Sequence, residues 1–296
     1  MKLNSSFLVA SVSAVILAVG IAQAAEPTAR EIMERNDQAQ RYEDLQANAS
    51  LATGGGTRKP SAKEFQWSRR LKEDGVHFET LTKFTAPAEV RDEAILFLEN
   101  GDENEVLLYL PAFKKVRRVE SQQQSGSFMA SDFSYSDITA AHVSDFDHKL
   151  MKTEACPGTA TVKCWVIEST PARDSVKERM QYSKIRTWVR QDNFMAERGE
   201  YHDLSGALVK RLALSGIKKM AGSGSSGSAG KSGSAGQSGT SKSGAAGKDR
   251  FFAHQLRMER VGGAGVGQFT KIDFSDVKIN QGVDRSLFAK QNLGRR

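Results

Sequence analysis

The sequence predicts a mainly β fold with a few helices (α+β), built on one antiparallel sheet that curls on itself. Ten or so segments are strand-like, with apolar and polar residues alternating along them. Short turns separate these segments, among them Asn100-Gly101 and residues 204–206. Few segments carry a helical pattern, so few helices are available to close the sheet.

The first element after the apolar N-terminus is predicted to be a helix over residues 28–42. Thr28 and Glu31 form a capping-box pattern, and Ile32, Met33 and Ala39 supply part of an apolar face. After a glycine-rich break at 54–56, strands are predicted at 65–67, 76–81, 94–98, 106–110, 116–119, 146–153, 162–169, 185–190, 195–201, 207–217, 251–261 and 269–279. Residues 174–182 read as a helix, and residues 136–144 as a short helix or an irregular crossing. The N-terminal helix and the 136–144 segment are the predicted lids of the sheet.

Residues 106–137 are the most informative part of the chain. An apolar strand ends at Pro111, and a basic run and a Gln/Ser loop follow it. The stretch closes on residues 128–135, where large apolar side chains alternate with small polar ones. It contains no acid/base pair and no metal-ligand set. Apolar surface beside positive charge favours binding of an amphiphile over its chemical conversion.

The same stretch resembles a known family. The run Tyr109-Leu110-Pro111-Ala112-Phe113-Lys114-Lys115-Val116-Arg117-Arg118, followed by Ser127-Phe128-Met129-Ala130-Ser131-Asp132-Phe133, is similar to the signature of bacterial outer-membrane lipoprotein-sorting-like proteins. These form a LolA-like group of periplasmic carriers. The resemblance runs from about residue 84 to residue 288 and implies an open half-barrel covered by short helices. Asp92 and Ala130 depart from it, because both stand where the family pattern has glycines, in predicted turns.

The N-terminus has the pattern of an export signal. Lys2 precedes an apolar region over residues 7–21, and Ala22-Gln23-Ala24 is a small-residue cleavage site. The alternative, a membrane anchor, is disfavoured because the apolar region is shorter than the roughly 20 residues that span a bilayer. We therefore expect a signal peptide at 1–24 and an exported, periplasmic protein, the compartment that the resemblance implies.

Residues 25–296 are predicted to form a single LolA-like domain with one insert. Residues 221–248 are almost wholly Gly, Ser, Ala and Lys, without any apolar residue larger than alanine. Such a composition cannot bury enough surface to offset the entropy of ordering, so the sequence predicts disorder there. Strands on both sides make this segment an enlarged loop rather than a linker between domains.

The two cysteines, Cys156 and Cys164, flank a Pro-Gly turn between two strand-like runs. They are predicted to form a structural disulfide across a hairpin. A closed zinc site needs four ligands, and a redox-active pair is more often spaced CxxC. We therefore expect no metal and no cofactor.

The charge is mildly basic, with 42 Lys and Arg against 35 Asp and Glu. Such an excess is compatible with nucleic acid, anionic lipid or mere solubility. Export argues against nucleic acid, and only residues 114–118 form a dense basic cluster. Lys114, Lys115, Arg117 and Arg118 are predicted to meet lipid headgroups or a partner at the rim of the sheet; a solvated strand edge is the alternative.

Several short patterns resemble catalytic motifs, but none of them has the context that such a motif requires. Residues 222–227 satisfy GxGxxG formally, but they lie in a Gly/Ser repeat without a following capped helix. The five histidines show no HExxH spacing, and no GxSxG elbow occurs. Asp145 and Asp147 would share one side of a strand, where a solvated face is commoner than an acid/base pair. The sequence thus predicts a protein that is not an enzyme.

The predicted cavity is lined by aromatic and aliphatic strand residues, each of which could equally be plain core: Trp67, Phe78, Phe97, Leu108, Leu110, Phe128, Met129, Phe133, Trp188 and Phe194. Met129 and Phe133, near the predicted lid, could plug the empty cavity. The first functional hypothesis is a monomeric periplasmic carrier of lipids or acylated lipoproteins that delivers them between membranes or to an inner-membrane transporter. The second is an envelope sensor that binds the same cargo and signals through a protein partner. An enzyme acting on envelope lipids is the third.

Overall fold

The computed structural model describes residues 26–101, 104–139, 142–220 and 249–294. The predicted signal peptide and the 221–248 insert lie outside these ranges. Thirteen strands form one antiparallel sheet, at Asp44–Gly54 (β1), Ser61–Leu71 (β2), Phe78–Ala86 (β3), Ala94–Leu98 (β4), Glu105–Leu110 (β5), Lys115–Val119 (β6), Phe146–Ala155 (β7), Lys163–Pro171 (β8), Lys184–Arg190 (β9), Ala196–His202 (β10), Leu208–Met220 (β11), Arg250–Arg260 (β12) and Phe269–Ile279 (β13).

The sheet is curved and open. Its strand order is β6-β5-β4-β3-β2-β1-β13-β12-β11-β10-β9-β8-β7, so β6 and β7 are its two edges. Pairing of the first strand with the last joins the two halves of the chain, with Leu51 opposite Ile272. The predicted fold class, a mainly β half-barrel with few helices, is confirmed.

Within the described ranges, three α-helices accompany the sheet: Ala29–Ala39 (α1), Tyr135–Ile138 (α2) and Asp174–Met180 (α3). The capping box at Thr28 and Glu31 is present, and the helix ends at Ala39, three residues before the predicted end. Of the predicted segment 136–144, the described residues form the end of α2 at Ile138 and a 3-10 turn that begins at Val143. None of the helices in the described ranges has the length and apolar character of a membrane span.

The first strand was missed by the sequence analysis. Residues 44–54 contain alanine, serine, asparagine and only two leucines, without a β-branched or aromatic residue before Thr53. They are a strand because both neighbours, β2 and β13, pair with them over nearly their whole length. Tertiary pairing overrides weak local propensity here.

The sheet has two covered faces. The face that carries Phe84, Ile95 and Phe97, called the inner face below, packs against residues 127–138 and, farther along, against α1. On the opposite, outer face, Leu96 and Leu107 are covered by Phe288 and Leu293 from the C-terminal segment. Both faces of β4 are therefore buried, which explains its uninterrupted apolar sequence.

Asp92 and Ala130 have positive φ angles of 65° and 60°. Both turns therefore use the left-handed backbone region that glycine adopts without steric cost. At both positions the residue type differs from the glycine of the family pattern, but the backbone keeps a conformation that glycine readily adopts.

Candidate functional site

The inner face is an apolar surface filled by a separate segment of the chain. We call residues 127–138 the plug. Its Phe128 and Phe133 are buried, and they pack against strand residues of the inner face, which are Ala49, Leu51, Phe65, Phe84, Ile95, Phe97, Val106, Met258 and Ile272. Met129, Tyr135 and Ile138 of the plug pack around the same cluster.

Aromatic contacts connect the plug to the sheet. The Phe128 ring centroid lies 6.4 Å from that of Phe84 and 6.3 Å from that of Phe97. Tyr135 meets Phe128 edge-on at 5.8 Å. Such pairs stabilise the packing beyond the area that they bury. The plug thus occupies the place that an apolar ligand of the inner face would take.

Asp132 attaches the plug at one end of the sheet. Its carboxylate is fully buried and accepts hydrogen bonds from Arg58 Nη1 at 2.6 Å, Arg260 Nε at 2.8 Å and Thr270 Oγ1 at 2.8 Å. Burial alone would raise the pKa of Asp132, but these hydrogen bonds outweigh burial and hold the pKa below its usual range. The carboxylate is therefore ionised and satisfied at neutral pH.

Asp137 attaches the plug a second time. Lys210 Nζ lies 3.0 Å from its carboxylate, and the Tyr182 hydroxyl donates to it at 3.1 Å. Burial raises the pKa of Tyr182, and the nearby Asp137 carboxylate raises it further, so the hydroxyl keeps its proton and acts as the donor. Two carboxylates thus tie the plug to Arg260 and Lys210 of the sheet and to Arg58 of the β1–β2 connection.

Beside the plug, a cavity of about 300 Å³ lies between α1 and the inner face. Its apolar lining includes Met33, Phe78, Phe146, Ile185 and Tyr201. Its polar lining comes from Asn36, Asp37, Gln40, Arg69, His142, His148, Ser169 and Thr187. The cavity is therefore amphiphilic, with residues of β2 and β3 on one side and residues of β7 to β10 on the other.

Arg69 is the main charged group in this cavity. Its guanidinium lies over the Phe78 ring, 3.7 Å from the centroid, and Nη2 is 4.0 Å from Oε1 of the buried Glu99. Its Nε is buried and has no hydrogen-bond partner among the described residues. A ligand acceptor at this position would satisfy that donor.

His148 is held neutral at the other side of the cavity. Its Nε2 lies 3.0 Å from the carbonyl oxygen of Val143, which can only accept, so Nε2 carries the proton. Nδ1 then accepts from the Ser169 hydroxyl at 2.8 Å. Burial lowers the pKa of His148, and this effect outweighs the opposite effect of the Val143 hydrogen bond. With both ring nitrogens engaged, His148 helps to shape the wall.

The register of β5 and β6 divides the basic run between the two faces of the edge. Arg117 pairs with Leu108 and Lys115 with Leu110. Leu108 packs on the inner-face cluster, so Lys115 and Arg117 lie on the inner side, next to half-buried leucines. On the inner side of this edge, half-buried leucines therefore lie beside two cations.

The other two basic residues of the prediction do not lie on that rim. Arg118 pairs with Leu107, which belongs to the outer-face cluster. Lys114 lines a groove on the outer face with Tyr109 and Val116. Strand alternation separates residues that are adjacent in sequence.

Most of the predicted apolar lining is brought together. Phe97, Leu108, Phe128, Met129 and Phe133 meet at the plug. Phe78 lines the cavity, and Trp67 lies on the inner face with its ring 5.2 Å from that of Phe274. Leu110 is half-buried at the edge.

Trp188 is wrong as a lining residue. Its neighbours Thr187 and Val189 face the cavity and α1, so alternation turns Trp188 to the outer face. There it packs against Cys156 and Cys164, and its Nε1 donates to Glu154 at 2.6 Å.

Phe194, also predicted to line the cavity, lies outside it. It stacks on Trp165, with a centroid distance of 5.4 Å, and its carbonyl accepts from Asn36 of α1. These contacts hold α1 against the sheet.

The predicted disulfide between Cys156 and Cys164 is present and joins the residue that follows β7 to β8. Within the described ranges, one group of His, Cys, Asp or Glu has ligand atoms close enough for a metal, and it consists of these two cysteines and Glu197. Both sulfurs are taken up by the disulfide. Glu197 is paired with Arg190 and accepts from Gly158 N–H at 2.9 Å, so the group supports the hairpin.

Asp145 and Asp147 do not form the pair of carboxylates that the sequence raised as a possibility. Asp145 is buried at the end of a 3-10 turn and lies 2.6 Å from Arg173 and 3.3 Å from Arg179. Asp147 is exposed on β7. Asp145 is therefore part of a buried ion pair and Asp147 is solvated, so the two carboxylates do not act as a pair.

Several cavity residues were missed from the sequence. Ser169, Thr187 and Tyr201 are separated in sequence and lie on three strands, and Arg69 looks like an ordinary strand cation. Alternation with Ile185 and Val189 would have placed Thr187 inward. No local signal distinguishes Arg69 or Asp132 from surface charges.

Three solved structures are similar to this chain. A protein domain from Vibrio parahaemolyticus named for outer-membrane lipoprotein sorting is 23% identical, with a TM-score of 0.73 over 90% of this chain and 98% of the other. A DUF1329 family protein from Desulfovibrio piger is 27% identical, with a TM-score of 0.73 over 90% and 97%. A LolA superfamily protein from Nitrosomonas europaea is 20% identical, with a TM-score of 0.62 over 90% and 99%.

A family model described as "Uncharacterized protein" matches residues 77–295, most of the chain. The chain belongs to the family that this model describes, and its fold is LolA-like. Among curated proteins, none matches the sequence. The LolA-like fold accounts for the open sheet. In this chain, the plug and the cavity described above lie on the inner face of that sheet.

Proposed function

We propose that this LolA-like protein is a periplasmic, non-enzymatic carrier that binds a lipid or the acyl chains of a lipoprotein on its inner face. The plug is the observation that carries the proposal. An apolar face that is covered by a separate segment, tied down through charged residues, can be uncovered and covered again. The name of one similar protein, the domain from Vibrio parahaemolyticus, refers to outer-membrane lipoprotein sorting and supports the same class of cargo.

The attachments of the plug suit a segment that moves as a unit. Within the plug, the single bridge from Ser127 to Ser134 and the capping box of α2 hold its own shape. It contacts the sheet mainly through side chains, in the aromatic cluster and the pairs made by Asp132 and Asp137, and Asp132 N–H also donates to Thr270 Oγ1 at 2.8 Å. An acyl chain on the inner face would replace the contacts that the strands lose with Phe128 and Phe133, and burial of its methylene groups would offset the exposure of the two rings.

The size of the cavity sets what can bind before the plug moves. A volume of about 300 Å³ is at the lower end of the range for ligand pockets. Burying about ten methylene groups contributes about 8 kcal/mol before the costs of association. A single acyl chain could thus enter beside α1, and a multiply acylated cargo requires displacement of the plug.

The inner rim completes the proposed site. Lys115 and Arg117 lie next to Leu110 and Leu108, so a chain entering between the leucines would leave its phosphate or carboxylate near both cations. Arginine suits such groups because its guanidinium binds them with two parallel hydrogen bonds. Arg69 Nε is a further donor for a polar group deep in the cavity.

The test is to fill the cavity without disturbing the rest of the protein. Thr187→Phe places a ring in the lining, and Thr170→Phe is the matched control because Thr170 is exposed on the neighbouring strand β8. We expect wild type and the control to take up a fluorescent fatty acid, and T187F to lose about tenfold or more in affinity through steric exclusion. Equal uptake by T187F and wild type would contradict the assignment of the cavity.

Native mass spectrometry with lipid extraction of the exported protein identifies the cargo. Transfer of bound lipid to acceptor vesicles then distinguishes the carrier from the sensor hypothesis. A carrier releases its cargo to vesicles or to a transporter. Retention of cargo together with binding of a protein partner only in the loaded state would favour the sensor.

A further inference from the structure

The outer side of the β6 edge carries a second surface, separate from the cargo site. It is formed by the tip of the β5–β6 connection and by a groove of about 640 Å³ on the outer face. We call it the outer edge surface. Its principal residues are Lys83, Phe113, Lys114, Val116, Arg118 and Lys290.

Phe113 is the most prominent apolar group of this surface. It is 70% exposed, more than any other large apolar side chain in the described ranges. It ends the 3-10 turn Pro111–Phe113, and Lys114 follows in the left-handed region with φ 50°. Val116, 46% exposed, lies next along the edge. The turn thus presents an aromatic ring to solvent directly before the basic run that begins at Lys114.

The surface carries more cations than carboxylates. Two carboxylates lie near it: Asp92 lines the groove, and Glu105 pairs with Lys290 and, at 3.6 Å, with Arg118. Lys83 and Lys114 have no carboxylate partner among the described residues. The free positive charge is therefore concentrated around the groove and the Phe113 turn.

We propose that the outer edge surface docks this protein on an anionic phospholipid membrane, with Phe113 inserted at the interface. Basic side chains beside an exposed aromatic ring are the combination that binds anionic bilayer surfaces. A peptide strand added to the edge fits less well, because β6 has only five residues and its cations are of the kind that block strand addition. The surface does not depend on the cargo cavity, so docking can be tested whether or not cargo is bound.

Co-sedimentation with vesicles tests the proposal directly. We expect the wild-type protein to bind vesicles of phosphatidylethanolamine and phosphatidylglycerol at low salt and to dissociate from them at high salt. It should not bind vesicles of pure phosphatidylcholine. Lys83→Gln with Lys114→Gln removes two unpaired charges and should weaken binding about thirtyfold, about fivefold for each charge. Lys59→Gln with Lys218→Gln is the control, since both residues are exposed and carry the same charge elsewhere.

Phe113→Ser tests the apolar part of the surface. It should weaken binding about tenfold even at high lipid charge. Met151→Ser is its control, because Met151 is 42% exposed on the opposite edge strand β7. All substituted residues lie at the surface, and an unchanged thermal melt verifies that each variant is folded.

The outcomes separate this proposal from the carrier function. Selective loss of vesicle binding in K83Q/K114Q and in F113S, with fatty-acid uptake intact, supports the docking surface. Equal losses in the charge control, or no binding of the wild type to anionic vesicles, overturn it and leave the carrier proposal standing. Capture of an acidic protein in place of vesicles would also overturn it.

Discussion

Asp132 shows at the scale of one residue how the plug is held. Its carboxylate is fully buried, whereas its partners Arg58 and Arg260 are 19% and 30% exposed. The arginines keep some contact with water, so most of the cost of desolvation falls on the aspartate. Several charged hydrogen bonds offset that cost.

Asp132→Asn is expected to lower the free energy of unfolding by about 2–3 kcal/mol at pH 7, since it removes charged hydrogen bonds to both arginines. The folded-state pKa of Asp132 lies below its unfolded value of about 3.9. Its stabilisation is therefore fully present above about pH 4 and is lost as the pH falls through the lower folded-state pKa. The difference between wild type and D132N should shrink accordingly in strong acid.

Urea unfolding at pH 7, 5 and 3 measures this dependence. Asp147→Asn is the matched control because Asp147 is exposed on β7, and it should change stability by about 0.5 kcal/mol or less. A D132N variant as stable as wild type at pH 7 would mean that the Asp132 contacts do not hold the plug.

Some of these residue-level features could be predicted from the sequence. The plug's large apolar residues and its unusual turn at Ala130 could be read from the pattern and the resemblance. The burial of Asp132 could not, because Arg58, Arg260 and Thr270 come from distant parts of the chain and meet only in the folded sheet.

At the scale of elements, the β7–β8 hairpin is the most strongly specified unit. The disulfide lies at its turn, and Cys164 and Val166 pack beneath Trp188 on the outer face. Alternation along β9 decides that Trp188 supports this hairpin while Thr187 lines the cavity. Period-two patterns locate strands well, but they cannot say which of the two faces is the inner one.

Cys156→Ser with Cys164→Ser should lower the free energy of unfolding by about 2–3 kcal/mol, because the unfolded chain gains the freedom of a short open loop. Thermal unfolding with and without a reductant checks this expectation. Reduction should bring the wild type down to the midpoint of the double variant and leave the variant unchanged. A reductant-insensitive wild type would contradict the expected contribution.

At the scale of the whole molecule, one sheet integrates the entire described chain. Pairing of β1 with β13 brings residues near both ends together, and the C-terminal segment covers the outer face of β3 to β5. The insert at 221–248 interrupts this sheet only between β11 and β12. Met220 pairs directly with Arg250, so the ladder closes at the last described residues on either side.

Replacing residues 221–248 by a two-residue Asn-Gly turn should change the melting temperature by about 2 °C or less, since no described pairing is removed. A longer deletion that also removes residues 217–220 is the control and should lower it markedly, because those residues pair with β12. A large loss of stability in the shorter deletion would show that the insert contributes structure.

The sequence by itself determined the strand-rich fold, the disulfide, the aromatic plug and the basic edge, because periodicity, turn residues and charge density are local properties. The tertiary structure decided which residues share the inner face, how the basic run divides between two faces, and which arginines meet Asp132. These depend on register and on contacts between residues far apart in the chain, and a shift of a single residue in register reverses the face of every side chain.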